Sequence, residues 1–143
     1  GERFVYNEFM ELKKYSTALL FSSSLVILGL VLSLPFRRLF RPLFTKPGNG
    51  PSQKTQNNGW FKSKFIIKTE DNKKYIAKMY GDGDPGYKST ARFACESAMT
   101  LIEDKDKLDF QGGGVLTTAA ALGYSVIDRL SNKGVIFEKP VEI

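Results

Sequence analysis

Tyr15 to Phe36 is an unbroken run of 22 residues without a charged side chain. As a helix it would reach about 33 Å at about 1.5 Å per residue, close to the hydrocarbon thickness of a bilayer. Two environments accept such a run, the core of a folded protein and the interior of a membrane. Core helices usually carry shorter uncharged stretches, so a membrane-embedded segment is the expectation. Leu25, Val26, Ile27, Leu28, Leu30, Val31 and Leu32 are then its lipid-facing centre. Ser16, Thr17, Ser22, Ser23, Ser24 and Ser33 dilute the run, but hydroxyls can bond back to helix carbonyls and are tolerable in lipid. Pro35 is expected to end or kink the helix near Ser33 or Leu34. Nothing before the run reads as a signal peptide, because Glu2, Arg3 and Glu8 precede it and it begins too late.

The residues that follow bias the chain further toward a membrane surface. In Phe36-Arg37-Arg38-Leu39-Phe40-Arg41 bulky apolar and guanidinium side chains interleave, an arrangement suited to the headgroup boundary. Phe36, Arg37, Arg38, Phe40 and Arg41 thus extend the expected membrane-facing set. Residues 37–80 hold eleven basic and two acidic side chains, whereas residues 81–143 hold seven basic and ten acidic. The excess of +6 is therefore one basic zone beside the apolar run, which suits anionic lipid. No nucleic-acid-binding motif accompanies it, so nucleic acid is not an expected partner. The segment either spans the bilayer or re-enters one leaflet, and the charge bias favours a cytoplasmic C-terminal side.

The chain has no histidine and one cysteine, Cys95. That excludes Ser-His-Asp and Cys-His nucleophile arrangements within these residues, and the common zinc sites with them. One thiol makes no internal disulfide. Residues 45–59, rich in Gly, Pro and Asn, read as a linker between a membrane-associated part, 1–44, and a C-terminal domain, 60–143. From Trp60 to Lys68 and from Lys74 to Tyr80 the pattern predicts a hairpin turning at Glu70-Asp71-Asn72. A helix is expected over 89–102 with Ala91, Ala94 or Cys95, Ala98 and Leu101 or Ile102 inward, making Cys95 a buried structural thiol. A second helix is expected over 117–132, with Ala119, Leu122, Val126 and Leu130 inward and Gly134 closing it, followed by a strand at Val135-Ile136-Phe137. The fold class is α+β: an N-terminal apolar helix of membrane type, then a small, mainly antiparallel sheet with two helices.

Two glycine-rich segments are candidate sites. In Gly81-Asp82-Gly83-Asp84-Pro85-Gly86-Tyr87, helix amides could hold an anion, Asp84 could orient a substrate amine, or Asp84 could simply close a tight turn. Gly112-Gly113-Gly114 precedes the second helix without the lysine of a P-loop or the G-x-G-x-x-G spacing of a dinucleotide fold, and Thr117 or Thr118 suits a helix cap.

Gly83-Asp84-Pro85-Gly86-Tyr87 with Thr90-Ala91 after it, Gly113 to Gly123, and the linker Lys46-Pro47-Gly48-Asn49-Gly50-Pro51-Ser52 together resemble the C-terminal region of saccharopine dehydrogenase-like oxidoreductases. The resemblance implies an upstream Rossmann domain holding NAD or NADP, no cofactor and no hydride transfer in this chain alone, and an animal-type form on a lipid droplet or intracellular membrane. It implies a substrate or dimerisation role here, with Asp84, Tyr87, Gly113, Gly114 and Thr117 as substrate-binding candidates and a homodimer as a partner. The alternative is a non-catalytic membrane or lipid-droplet surface protein that retains the fold.

Overall fold

The computed structural model describes residues 4–33, 40, 42, 44, 46, 48–109 and 111–143. Two compact units emerge, Gly1–Gly50 and Pro51–Ile143.

In the first unit, α1 runs from Tyr15 to Ser33, ending two residues short of Pro35. None of its side chains is buried. Leu25, Val26, Ile27, Leu28, Leu30 and Leu32 are all exposed and Val31 is half-buried. The apolar surface therefore runs all round the helix rather than along one stripe, unlike a helix that docks one face on a core. Two serines do what lipid would require of them: Ser24 Oγ donates to the Phe21 carbonyl at 2.7 Å and Ser33 Oγ to that of Gly29 at 2.8 Å. Phe40 is half-buried, while Phe36, Arg37, Arg38 and Arg41 lie outside the described residues.

The second unit is a three-stranded antiparallel sheet, order β1-β2-β3, with helices packed on one face. It opens on a short helix, α2 (Gln53–Asn58), where a structureless linker was expected. Ser52 makes it possible by accepting the Thr55 amide at 3.2 Å, the usual service of an N-cap hydroxyl. β1 (Trp60–Lys68) and β2 (Lys74–Asp82) form the hairpin in unbroken register from Trp60↔Asp82 to Lys68↔Lys74. Its turn is closed by Thr69, whose amide and hydroxyl both donate to the Lys73 carbonyl and whose carbonyl accepts the Asn72 amide, with Asn72 in the left-handed region at φ 63°.

Helix α3 spans Lys88–Glu103, and a single 3-10 turn, Lys105–Lys107, leads out of it. Helix α4 spans Thr118–Asn132 and β3 spans Ile136–Glu142. β3 is longer than expected and contains Pro140; an edge strand tolerates proline, and the ladder shifts register between Ile76 and Lys78 to pass it.

The core is small. Leu108, Leu122, Val126, Leu130 and Val135 are buried, and Phe61, Met79, Phe93 and Phe137 pack against them. Burying side chains of this size contributes about 1.5–3 kcal/mol each. Phe61 of β1 meets Phe93 of α3 edge to face, with ring centroids 5.6 Å apart.

Two inward faces differ from expectation. In α4, Leu122, Val126 and Leu130 point inward but Ala119 does not, because Gly123 breaks the helical period with φ 53° and ψ −136°. In α3 the expected stripe is on the outside: Ala91, Ala94, Cys95, Ala98, Leu101 and Ile102 are all exposed. Ser89, Glu96 and Thr100 are buried instead, with Phe93 half-buried beside them. Cys95 is therefore an exposed thiol and not a structural core residue.

What turns α3 over is charge. Arg129 of α4 bonds Asp104 and Glu103 through its guanidinium and lies 3.7 Å from Glu96, while Lys133 lies 4.0 Å from Glu96. Glu96 and Asp104 are nearly withdrawn from water, so both need those cations. Hydrogen bonds from Lys107 and then Arg129 hold the Asp104 carboxyl below its usual range.

Candidate functional site

The loop between β2 and α3 is built by its backbone. Gly83 sits at φ 91°, a conformation open to glycine, and is buried beneath the Lys88 side chain. Its amide donates to the Gly59 carbonyl at 2.8 Å, and the Asp84 amide donates to that of Gln56 at 2.9 Å. Gly59 lies so close that an added Cβ would fall 2.5 Å from both Asp84 Cα and Asp84 N. α2, β1 and this loop are thus one sutured corner.

Asp84 faces its own helix. Its carboxylate accepts the Tyr87 amide at 3.0 and 3.2 Å and the Lys88 amide at 3.3 Å, while its carbonyl accepts the Ser89 amide at 3.0 Å. Ser89 Oγ bonds back to the carbonyls of Gly83 and Asp82, and Arg92 pairs with Asp82 at 3.0 Å. The amides that could have held an external anion are therefore capped from within, the tight-turn arrangement among the three considered. Tyr87 is exposed beside them.

The second candidate lies elsewhere. Gly113 has no neighbour within 4 Å of an added Cβ, and neither has Gly114, which stands at φ 151°. Thr117 caps α4, its Oγ1 accepting the Ala120 amide at 3.3 Å. All ten residues from Gln111 to Ala120 are exposed.

The ion pairs fix where these two loops stand. Lys133, just past α4, meets Glu96 in mid α3, and Arg129 one turn earlier meets Glu103 at α3's end and Asp104 just beyond it. The helices are antiparallel, so Asp84 and Tyr87 stand at one end of the pair and Gly113, Gly114 and Thr117 at the other. With sixteen residues in α3, the separation is about 24 Å at the usual helical rise. The five candidates do not line one cleft. Two shallow depressions mark the surface, one of about 300 Å³ beside Trp60, Lys62 and Tyr80, the other of about 370 Å³ beside the Arg129 cluster. None of the five candidates lines either. Among the described residues no cluster of His, Cys, Asp or Glu is arranged to hold a metal ion.

One spacing escaped the sequence reading. Gly81, Gly83 and Gly86 form G-x-G-x-x-G directly between a strand and a helix. In a dinucleotide fold those glycines bring pyrophosphate to the helix N-terminus within a parallel βαβ unit. Here β2 and β3 are antiparallel and Asp84 occupies the helix amides, so the residues present do not fit a nucleotide.

Comparison with known proteins points in one direction. The chain is similar to proteins named trans-acting enoyl reductase: that of Mycobacterium bovis BCG is 36% identical over 147 aligned positions, and that of Mycobacterium leprae is 36% identical over 145. Each alignment covers 95% of this chain and 34% of the relative. A further Mycobacterium tuberculosis protein whose name carries the same words is 39% identical over 99 residues, 69% of this chain and 23% of the relative. The chain thus spans about a third of the length of the trans-acting enoyl reductases of M. bovis BCG and M. leprae and under a quarter of that of the M. tuberculosis protein. No family model and no solved structure matches it. These names overturn the saccharopine dehydrogenase-like expectation, and the substrate role and lipid-droplet placement drawn from it lapse too. Of the motifs behind that expectation, Asp84 closes the turn into α3 and Thr117 caps α4.

Proposed function

We propose that this chain is a structural portion of a trans-acting enoyl reductase, a protein that reduces the carbon–carbon double bond of an α,β-unsaturated acyl group. The observation that carries the reading is identity of 36% across 95% of the chain with proteins of that name. In this reading the described residues contribute no hydride donor or acid–base pair. Asp84 is committed to the turn that leads into α3, Thr117 to the cap of α4, and the carboxylates around Arg129 to holding α3 against α4. The reductant, NADH or NADPH, belongs to sequence outside these residues, where a Rossmann domain is the proposed partner.

Separately from that reading, we propose that α1 lies in an intracellular membrane, with Leu25, Val26, Ile27, Leu28, Leu30, Val31 and Leu32 toward lipid and the α+β unit on the cytoplasmic side. Its support is a helix of 19 residues, uncharged, with none of its side chains buried. Two assays test the proposal. The complete gene product is given an α,β-unsaturated acyl thioester with NADH or NADPH, and the loss of reduced nicotinamide is followed. No turnover with either would remove the enzymatic reading. Flotation on vesicles, with and without residues 15–33, tests the anchor, which fails if the shortened protein still floats.

A further inference from the structure

Helix α3 keeps Phe93 against the core but turns its stripe of small and aliphatic residues outward. Its polar side chains Ser89, Glu96 and Thr100 are turned to the core, Thr100 with 0% exposure. Its apolar and small ones, Ala91, Ala94, Cys95, Ala98, Leu101 and Ile102, are turned out, Ile102 with 74% exposure. Small residues at that spacing let a second element approach within close-packing distance, and the two larger ones at the end supply apolar area. Val115 and Leu116 ahead of α4 and Tyr124 within it are exposed as well. An uncovered helix face carrying apolar residues in this way marks an interaction site.

We infer that this outer face of α3 is the seat of the polypeptide that makes up the other two thirds of the relatives' length, as a neighbouring domain of the same chain. The length argues for that occupant: the relatives align with 95% of this chain yet extend to about three times its share of their length. A domain joined covalently is present at a high effective concentration. A flat face of small residues with little charge suffices for it, where a separate partner would need buried anchors. The inference rests on the enoyl-reductase reading only for the existence of that additional polypeptide.

Cys95 is a built-in reporter, at the middle of the face and the one thiol of this chain. The experiment compares alkylation of Cys95 by a maleimide, read at the peptide level by mass spectrometry, in the 143-residue chain and in the native complete gene product. The expected result is a rate at least 100-fold slower in the complete product, restored by urea. Equal rates overturn the inference. So does protection that appears in the 143-residue chain as its own concentration rises, which would make the occupant a second copy, or protection only with vesicles, which would make it lipid. Ala98→Arg supplies a second measurement. It should leave the urea midpoint of the 143-residue chain unchanged, while making Cys95 in the complete product at least tenfold more reactive. Unchanged reactivity there refutes the docking. Neither measurement depends on turnover, so an inactive enzyme with a protected Cys95 would sink the enoyl-reductase reading and leave the docking standing.

Discussion

Gly59→Ala tests the corner on which α3 is mounted. Gly59 has ordinary dihedrals, φ −67° and ψ 163°, so alanine meets no backbone penalty at that position. The cost comes from space. The new methyl would lie 2.5 Å from two backbone atoms of Asp84, and a backbone cannot swing aside as a side-chain tip can. Overpacking of this kind costs about 1–3 kcal/mol. Relief would move the loop and stretch the bonds from Gly83 N to Gly59 O and from Asp84 N to Gln56 O, each worth about 1 kcal/mol. Removing a glycine from the unfolded chain returns about 0.4–1 kcal/mol. The net expectation is a loss of about 2–3 kcal/mol. Gly113→Ala is the control, since nothing lies within 4 Å of its added Cβ; it should stay within about 0.5 kcal/mol of the parent. Urea denaturation followed by Trp60 fluorescence reads both, because the single tryptophan lies in the second compact unit. If Gly59→Ala matches Gly113→Ala, the corner is not under the steric constraint described here.

Asp84→Ala should cost about 1 kcal/mol by uncapping α3, with Asp84→Asn recovering most of it, as measured by urea midpoint. Gly123→Ala should cost about 1–3 kcal/mol, because its φ of 53° with ψ of −136° is closed to alanine; a thermal melt would show it. Hydrogen bonds from Arg92, from Lys107 and then Arg129, and from Lys78 lower the carboxyls of Asp82, Asp104 and Glu138 respectively. A depressed carboxyl stabilises the fold above its ordinary value, 3.8 for Asp and 4.5 for Glu, and the contribution disappears as pH falls through the folded-state value. The urea midpoint should therefore drop below about pH 4.5, and Arg129→Met should both lower the midpoint at pH 7 and flatten that pH dependence.

Elements set by local chemistry were legible from residues alone. The hairpin announces itself by alternation and by Asn72 at its turn, and α4's end by Gly134. The face of α3 was not legible, because its period fits two stripes equally well. The apolar one would be chosen by transfer energy alone, and the polar one is chosen because Arg129 and Lys133 arrive from 25 or more residues away to meet Glu96, Glu103 and Asp104. Periodicity carries no information about such a partner. The spatial arrangement of the candidate residues was not legible for a related reason. Asp84 and Thr117 are residue types that serve both helix caps and substrates, and the 24 Å or so between the two loops follows from the antiparallel helix pair, not from any motif.

The two departures, α3's outward stripe and the split of the candidate site, have one cause. A unit of 93 residues with five fully apolar core positions has little interior in which to hide both faces of an amphipathic helix. The ion-pair cluster fixes which face goes inward, because carboxylates withdrawn from water must keep their cations, whereas alanines left in water cost little. An isolated unit can bear that choice only while the outward face is small and shallow, and six such residues on α3 meet the condition. Extending the apolar face should break it. Ala94→Leu together with Ala98→Leu would leave the fold of the 143-residue chain intact, since both sites are exposed, but would drive it to self-associate at concentrations where the parent is monomeric. Sedimentation velocity reads that change, and a double variant that remains monomeric would show the outer face of α3 to be far less adhesive than its composition requires.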